Sequence, residues 1–203
     1  MTNQLQYRST IKSRPFLYIE TKKLAELMLQ GLNDLEIKEQ VIHQNIFQVK
    51  SETRKRDIAA AVRTRLQSLD DYLLERIVKA HTNTSKYIVL YAIAKTDRLF
   101  YEFLLEVIGD KFVYKDLILQ PGDFNIFFEA KRQQSEHMAY WKPYTFYKLQ
   151  QVYTRILYEA GLIKKDHNQL ELVVPFVEPD VIEHLRKIGS ERFLEATMQG
   201  GTS

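Results

Sequence analysis

The sequence predicts a mainly α-helical protein with an N-terminal helix-turn-helix, a buried central helix, and a C-terminal winged helix with a small β-hairpin. Three observations favour this fold. Residues 87–94 carry no charge, which is typical of a helix with protein core on every side. Residues 20–69 divide into three short helical segments separated by turns. Residues 143–160 form an amphipathic helix that is followed directly by two short strands.

The composition is that of an ordinary globular protein. The chain has 203 residues, of which 45% are hydrophobic and 27% charged. It has no cysteine, which excludes disulfides and thiolate chemistry and fits a reducing cytoplasm. The N-terminus lacks the apolar segment of a secretory signal, and no apolar run approaches the roughly 20 residues of a membrane span. We therefore expect a cytoplasmic protein without a membrane partner.

The charge is distributed unevenly along the chain. Residues 1–69 contain twelve Lys and Arg against seven Asp and Glu, whereas the rest has a small acidic excess. A basic N-terminal part favours an anionic partner on that side. Turn-forming residues divide the chain into an N-terminal helix-turn-helix (1–69), a central helical segment (70–120) and a C-terminal winged-helix domain (121–203).

The N-terminal segment predicts three helices. The first covers residues 20–30 and ends at Gly31. The second stops near Asn45, and Ser51 caps a third that runs to about Leu69. This order of short helices and tight turns is typical of a helix-turn-helix.

The third of these helices is basic where a recognition helix needs charge. Its candidate DNA-binding residues are Arg54, Lys55, Arg56 and Arg63. Arginine, lysine and the free N–H groups of a helix N-terminus all bind phosphate. The alternative interpretation is a solvated face that keeps the protein soluble.

The central segment predicts a helix at 70–79 and a long apolar helix at 87–108, capped by Thr84 or Ser85. Asp97 falls on its apolar side. Either this carboxylate is buried with a partner, or the helix breaks and Asp97 caps its second half.

The C-terminal segment predicts a helix capped by Asp123 and a second helix from Pro143 to Ala160, ending at Gly161. The outward face of the second helix contains no acid. It carries Tyr144, Tyr147, Lys148, Gln151, Arg155 and Tyr158. Such side chains contact phosphates and base edges, and we assign Tyr144, Lys148, Gln151 and Arg155 to DNA binding. The alternative is a tyrosine-rich face that packs on a protein partner.

A basic hairpin follows this helix. Lys164 and Lys165 end the first strand, residues 166–168 form the turn, and residues 170–174 form the second strand. A helix followed by a two-stranded hairpin is the order of a winged helix, whose wing lies along the DNA backbone. We therefore include Lys164 and Lys165 among the DNA-binding residues.

No motif predicts catalysis, a metal site or a cofactor. The glycines form no phosphate-binding loop, and the histidines lack metal-ligand spacing. Asp123 with Glu129 and Lys131 superficially resembles a nuclease site, but these residues fall on an amphipathic helix. Glu102 and Glu106 form an i, i+4 pair beside Arg98, which predicts a surface salt-bridge stripe. We expect a protein that is not an enzyme.

The chain resembles the BrxA family from about Phe16 to Phe176. The residues that carry the resemblance are Gly31, Asn45, Ser51, Arg65-Leu66, Lys95-Thr-Asp-Arg98, Phe103-Leu-Leu-Glu-Val107, Trp141, Leu149, Val152, Arg155-Ile-Leu157 and Glu159-Ala-Gly-Leu162. Members of this family are small proteins of BREX bacteriophage-exclusion systems. The resemblance implies a DNA-binding protein of phage defence, with other BREX proteins as partners. The family is also similar to small helical RNA-binding antitermination factors.

Together, the residues and the resemblance predict a non-catalytic component of a BREX system that binds double-stranded DNA. Two alternatives stay open. One is an adaptor that assembles the defence complex through protein contacts. The other is an RNA-binding protein of the antitermination type, which would favour unpaired bases.

Overall fold

The computed structural model describes residues 5–167 and 169–198. Within them the protein is mainly helical with a small three-stranded antiparallel sheet, which confirms the predicted fold class. After a 3-10 turn at Thr10–Ser13, the first helices are α1 (Tyr18–Leu29), α2 (Asp34–Ile42), α3 (Glu52–Gln67), α4 (Asp71–Lys79), α5 (Thr82–Thr96) and α6 (Arg98–Phe103). A π-helical turn at Leu104–Gly109 leads into α7 (Asp110–Val113), and strand β1 (Ile118–Leu119) follows.

The C-terminal part contains two strands and further helices. Its elements are α8 (Pro121–Gln134), α9 (Glu136–Ala139), α10 (Pro143–Ala160), β2 (Ile163–Asp166), β3 (Gln169–Leu172), α11 (Pro179–Lys187) and α12 (Glu191–Met198). One hydrophobic core runs through the N-terminal, central and C-terminal segments. The division into three domains stays a prediction.

The uncharged run at Tyr87–Ala94 is buried along its whole length, as predicted. It forms most of α5, which packs against α1, α3, α4 and α10. A helix without a polar face needs neighbours on all sides, because each exposed apolar side chain forgoes about 1.5–3 kcal/mol of burial. Helices from both ends of the sequence therefore meet at α5.

The caps of α5 and α8 differ from the predicted ones. The first helix begins at Thr82 after His81, so neither Thr84 nor Ser85 is its cap. Ser85 instead donates from its hydroxyl to the Ile77 carbonyl oxygen at 2.6 Å, and the Thr84 hydroxyl oxygen accepts from the Glu178 N–H at 3.0 Å. Both hydroxyls serve tertiary contacts, which sequence spacing does not reveal.

Helix α8 begins two residues before Asp123, because Pro121 is suited to the first helical position. The Asp123 carboxylate accepts from the backbone N–H of Gln120 at 2.6 Å as part of a capping box. It also lies 3.0 Å from the Lys111 ammonium. Asp123 therefore stabilises the helix from its third position.

Asp97 fulfils both interpretations that the sequence left open. The helix breaks there, and the Asp97 carboxylate accepts from the Phe100 N–H at 2.9 Å, capping α6. Burial raises the pKa of this carboxyl to about 6, although the cap hydrogen bond and the charges of Arg65 and Arg8 oppose that shift. A part-buried acid thus holds the junction of α5 and α6.

Glu102 belongs to a part-buried ion cluster and not to the predicted surface stripe. Its side chain is only 13% exposed, and it accepts from Arg98 Nε at 2.7 Å, as the spacing predicts. It also accepts from Tyr7 Oη at 2.8 Å and lies 2.7 Å from Lys131 Nζ. Burial raises the pKa of Glu102, but the hydrogen bonds from these three donors outweigh it and leave the pKa below its usual value. The cluster joins the N-terminal arm, α6 and α8.

The predicted hairpin is present as β2 and β3, and β3 also pairs with β1 to give the order β1-β3-β2. Strand β1 was not predicted, because two residues are too few to show an alternating pattern. Of the predicted turn, Asn168 lies outside the described residues. The sheet joins the end of the central segment to the C-terminal hairpin.

The raised pKa of Asp97 predicts a pH-dependent stability. A carboxyl with a folded pKa of about 6, against its ordinary 3.8, favours the folded state most below about pH 4. That contribution, roughly 3 kcal/mol, is lost as pH rises through 6. Asn keeps a cap acceptor without a charge. We therefore expect the difference in free energy of unfolding between Asp97→Asn and the parent to shift in favour of the variant by roughly that amount as pH rises from 4 to 7.

Urea unfolding at several pH values, followed by circular dichroism, measures this difference. A difference between variant and parent that stays constant over this range would contradict the assignment.

Candidate nucleic-acid interface

Helix α10 has one face fixed in the core. Pro143 occupies its first turn, and Gly161 ends it with φ 82°, a left-handed conformation suited to glycine. The buried face consists of Leu149, Tyr153, Ile156, Leu157 and Ala160. The ring of Tyr153 lies 4.9 Å from Phe100 and 5.2 Å from Phe103. This packing sets which side chains of α10 face outward.

The opposite side of α10 is the surface predicted from the helical wheel. We call it the α10 face and define it by Tyr144, Tyr147, Lys148, Gln151, Arg155 and Tyr158. The three tyrosines are 66%, 54% and 52% exposed. Gln151 and Arg155 are exposed, and Lys148 is half-buried. Exposed aromatic rings beside cations can stack on or hydrogen-bond to a ligand.

The first half of the α10 face is internally connected. Lys148 Nζ donates to Gln151 Oε1 at 2.9 Å, and Gln151 Nε2 donates to the Tyr147 hydroxyl at 2.8 Å. The Lys148 ammonium also lies 5.4 Å and 5.6 Å from the ring centres of Tyr144 and Tyr147. Exposed contacts of this kind contribute little stability, so they can exchange for contacts to a ligand.

An acid lies beside the acid-free face that the sequence predicts. Glu159 accepts from Arg155 Nε at 2.5 Å, and both side chains reach solvent. A phosphate that binds Arg155 has to replace this carboxylate. Because exposed ion pairs are weak, the replacement costs little.

The structure brings only one of the two hairpin lysines to the α10 face. Lys165 Nζ lies 5.5 Å from the ring centre of Tyr158. Lys164 Nζ lies 3.1 Å from Glu171, its cross-strand partner in β3. Successive residues of a strand point to opposite sides, so Lys165 extends the α10 face and Lys164 does not.

The four cations of α3 are engaged within the protein. Arg54 Nη1 donates to the Ser13 carbonyl oxygen at 2.5 Å, and Lys55 Nζ donates to the Ile42 carbonyl oxygen at 2.8 Å. Arg63 pairs with Asp34 at 2.5 Å, and Arg56 pairs with Glu52. The contacts of Arg54, Lys55 and Arg63 hold α3 against the N-terminal arm and α2, whereas the Arg56–Glu52 pair lies within α3. An anionic ligand of α3 has to compete with these contacts.

Aromatic residues before α10 add to the surface that the sequence assigns. Tyr140 is 88% exposed, and the exposed Lys142 is the N-cap residue of α10. Trp141 packs between His137 and Phe146, with ring centres 5.7 Å and 5.8 Å away. An aromatic and basic run before Pro143 is a sequence signal that could have identified them.

The structure offers no metal site in residues 5–167 and 169–198, where no group of three His, Asp or Glu side chains could hold an ion. The nuclease-like trio is dispersed: Asp123 pairs with Lys111, and Lys131 pairs with Glu102 and Glu106. Among the described helices, none is long and apolar enough to cross a membrane.

The family model and the related proteins that match this chain all indicate the same family. The BrxA family model matches residues 5–189. BREX protein BrxA from Bacillus cereus (strain H3081.97) is 50% identical over 195 residues, covering 96% of this chain and 98% of that protein. BREX protein BrxA from Escherichia coli O9:H4 (strain HS) is 23% identical over 179 residues, covering 87% and 83%.

A solved structure shares the fold. The crystal structure of an uncharacterized protein from Magnetospirillum magneticum superposes with a TM-score of 0.82 at 22% identity. The match covers 96% of this chain and all of that one. At this identity the likeness establishes the fold alone.

The contacts of Lys55 on α3 and Lys148 on the α10 face predict that these two lysines differ in how much they stabilise the folded protein. Lys55→Ala removes a donor from a carbonyl at the end of α2 and should lower the free energy of unfolding by about 1–2 kcal/mol. Lys148→Ala removes only exposed contacts and should change it by less than about 0.5 kcal/mol. Urea unfolding of both variants measures the difference. Equal losses would show that Lys55 does not hold α2 as described.

Proposed function

Because this chain belongs to the BrxA family, we propose that it is a non-catalytic component of a BREX phage-defence system that binds double-stranded DNA. Relatives of the family are BREX proteins, which supports the system. The observation that carries the DNA proposal is the α10 face together with Lys165. It places cations, an amide and exposed tyrosines on one side of a rigid helix.

The order of elements supports a winged helix. Strand β1 precedes α8 and α10, and α10 is followed at once by the β2–β3 hairpin. In a winged helix the last helix enters the major groove and the hairpin lies along the backbone. Lys165, which adjoins the α10 face, is the wing residue best placed for phosphate. Lys164 lies on the opposite side of the hairpin, where it pairs with Glu171.

The side chains of the α10 face differ in the DNA groups that they can contact. Lys148 and Arg155 neutralise phosphates, because their charges are solvent-accessible and only weakly engaged. Gln151 can pair with an adenine edge through its amide once it leaves Lys148 and Tyr147. Tyr144 offers a hydroxyl and a ring at the start of the helix. The phosphate contacts position the protein on duplex DNA, and the contact of Gln151 recognises a base edge.

The N-terminal helices supply a second DNA contact. Helices α1, α2 and α3 pack on one another in helix-turn-helix order, with three of the basic residues in the first turns of α3 and Arg63 in its second half. Arg54, Lys55, Arg56 and Arg63 bind backbone phosphate by exchanging their present partners. If both surfaces engage one duplex, the second contact gains from a high effective concentration.

The exposed tyrosines favour one alternative, an adaptor that contacts another BREX protein. Tyr144, Tyr147 and Tyr158 each expose more than half of their surface. Tyrosine is enriched at protein interfaces, where its ring is buried and its hydroxyl stays bonded. The adaptor and the DNA-binding protein use the same face but depend on different side chains of it.

Reversal of charge on the α10 face should weaken DNA binding. We expect Lys148→Glu with Arg155→Glu to reduce duplex affinity at least roughly tenfold. We also expect it to lower the slope of log affinity against log salt by about 2, because two phosphate contacts are lost. Fluorescence anisotropy with a labelled duplex at several salt concentrations measures both quantities.

The matched control is Arg186→Glu with Lys187→Glu, an equal charge change on exposed residues of α11. An equal loss in the control variant would indicate a general charge effect, and no salt-dependent binding by the parent would refute the proposal. Single-stranded DNA and RNA of the same sequence are compared in parallel. Tighter binding of RNA than of duplex would instead identify an RNA-binding protein.

The tyrosines separate DNA binding from the adaptor function. On the DNA proposal, Tyr147→Phe with Tyr158→Phe keeps the charges and should leave the salt slope unchanged. Tyr147→Ala with Tyr158→Ala should weaken duplex binding by only a few fold, because most of the affinity is electrostatic. Anisotropy and pull-down of purified BREX proteins measure the two activities. A broken protein complex with unchanged DNA affinity would favour the adaptor.

A further inference from the structure

A small cavity lined by three arginines lies away from the α10 face. It has a volume of about 160 Å³, is open to solvent on one side, and is lined by the N-terminal arm, α3 and the end of α5. Arg8 and Arg14 come from the arm, Arg65 comes from α3, and Asp97 closes the inner side. A pocket of this size holds several waters or one small ion. Its wall is strongly basic.

Arg65 is a fixed part of this wall. The residue is 5% exposed, and its guanidinium donates to the carbonyl oxygens of Arg14, Pro15 and Phe16 at 2.6, 2.8 and 3.1 Å. Burial lowers its pKa to about 10; the charge of Asp97 opposes this shift, and the smaller effect of the Arg14 charge adds to it. Two guanidinium groups therefore lie close enough to repel one another, and the hydrogen bonds of Arg65 keep its group in place.

Arg14 has an unused donor. Its Nη2 lies 3.2 Å from Asp57 Oδ1, but its Nε is buried and has no hydrogen-bond partner among the described residues. An unpaired buried donor of a charged group is costly, and native structures normally satisfy it. The donor belongs to a side chain that lines the cavity, so a bound acceptor there could satisfy it.

Arg8 and Asp97 complete the charge distribution. Arg8 is exposed and, in the part of the chain that the structure describes, makes no hydrogen bond or ion pair, although its charge acts on the Asp97 carboxylate. Asp97 is the one carboxylate among the lining residues, and it already accepts from the Phe100 N–H. Positive charge therefore exceeds negative charge around the cavity.

We propose that this cavity binds a tetrahedral oxyanion of the phosphate class. Guanidinium forks from Arg8 and Arg14 can reach such an anion from two sides, and the hydroxyls of Thr10 and Thr64 line the same space. A tetrahedral oxyanion accepts hydrogen bonds in several directions, which suits donors that come from both the arm and α3. The anion is either a free phosphate or a phosphate of the DNA backbone.

Binding of inorganic phosphate tests this assignment. Isothermal titration calorimetry compares phosphate with chloride at matched ionic strength, using the parent, Arg8→Gln and Arg14→Gln. Arg186→Gln, an exposed arginine on α11, is the matched control. We expect Arg8→Gln to weaken phosphate binding at least tenfold, and Arg186→Gln to leave it unchanged. Arg8 is exposed and makes no hydrogen bond or ion pair within the described residues, so its variant should fold like the parent.

Absence of phosphate binding by the parent would overturn the proposal, as would equal binding by Arg8→Gln and the parent. Competition then identifies the source of the anion. If phosphate displaces labelled duplex beyond the effect of ionic strength, and Arg8→Gln weakens duplex binding, the cavity takes a backbone phosphate. If phosphate binds without displacing duplex, the cavity takes a free phosphate. Both results rest on phosphate binding by the cavity and are independent of the α10 face.

Discussion

The burial of α5 determines how the other helices pack. Its run Tyr87–Ala94 has no polar side, so other helices must cover it completely. Both α3 and α10 do so, one from each end of the sequence. Each has one side committed to the core, and its charged side is consequently turned outward. The two candidate DNA-binding helices therefore owe their orientation to the same apolar helix.

Charged groups near this core hold separate parts of the chain together. Glu102 joins Tyr7 of the arm, Arg98 beside it and Lys131 of α8. Arg65 binds three successive carbonyls of the arm. Breaking one partner of such a group leaves a buried charge, which is strongly destabilising. By contrast, the cations of the α10 face have weak, exposed contacts that can exchange for a ligand. Among the α3 cations, Arg54, Arg56 and Arg63 also have exposed contacts, and Lys55 has a part-buried one.

Patterns confined to one element were predictable from sequence. The burial of α5, the ending of α10 at Gly161 and the composition of the α10 face follow from helical periodicity and turn chemistry. Features that depend on distant residues were not. The partners of Glu102 lie 95 and 29 residues away in Tyr7 and Lys131, and strand β1 is defined only by pairing with β3. Three of the four partners of the α3 cations likewise appear only once the helices pack, whereas Glu52 lies one turn from Arg56 in the same helix. Helical periodicity identifies the residues of each face. Whether those residues are available to a ligand depends on their partners, which only the structure shows.

Backbone amide hydrogen exchange with and without saturating duplex DNA locates the bound DNA on the chain without any substitution. We expect added protection at the first turns of α10, from Pro143 to Lys148, and along β2, with smaller changes at the start of α3. Protection confined to other parts of the protein, or none at a DNA concentration that saturates binding, would contradict the DNA-binding proposal.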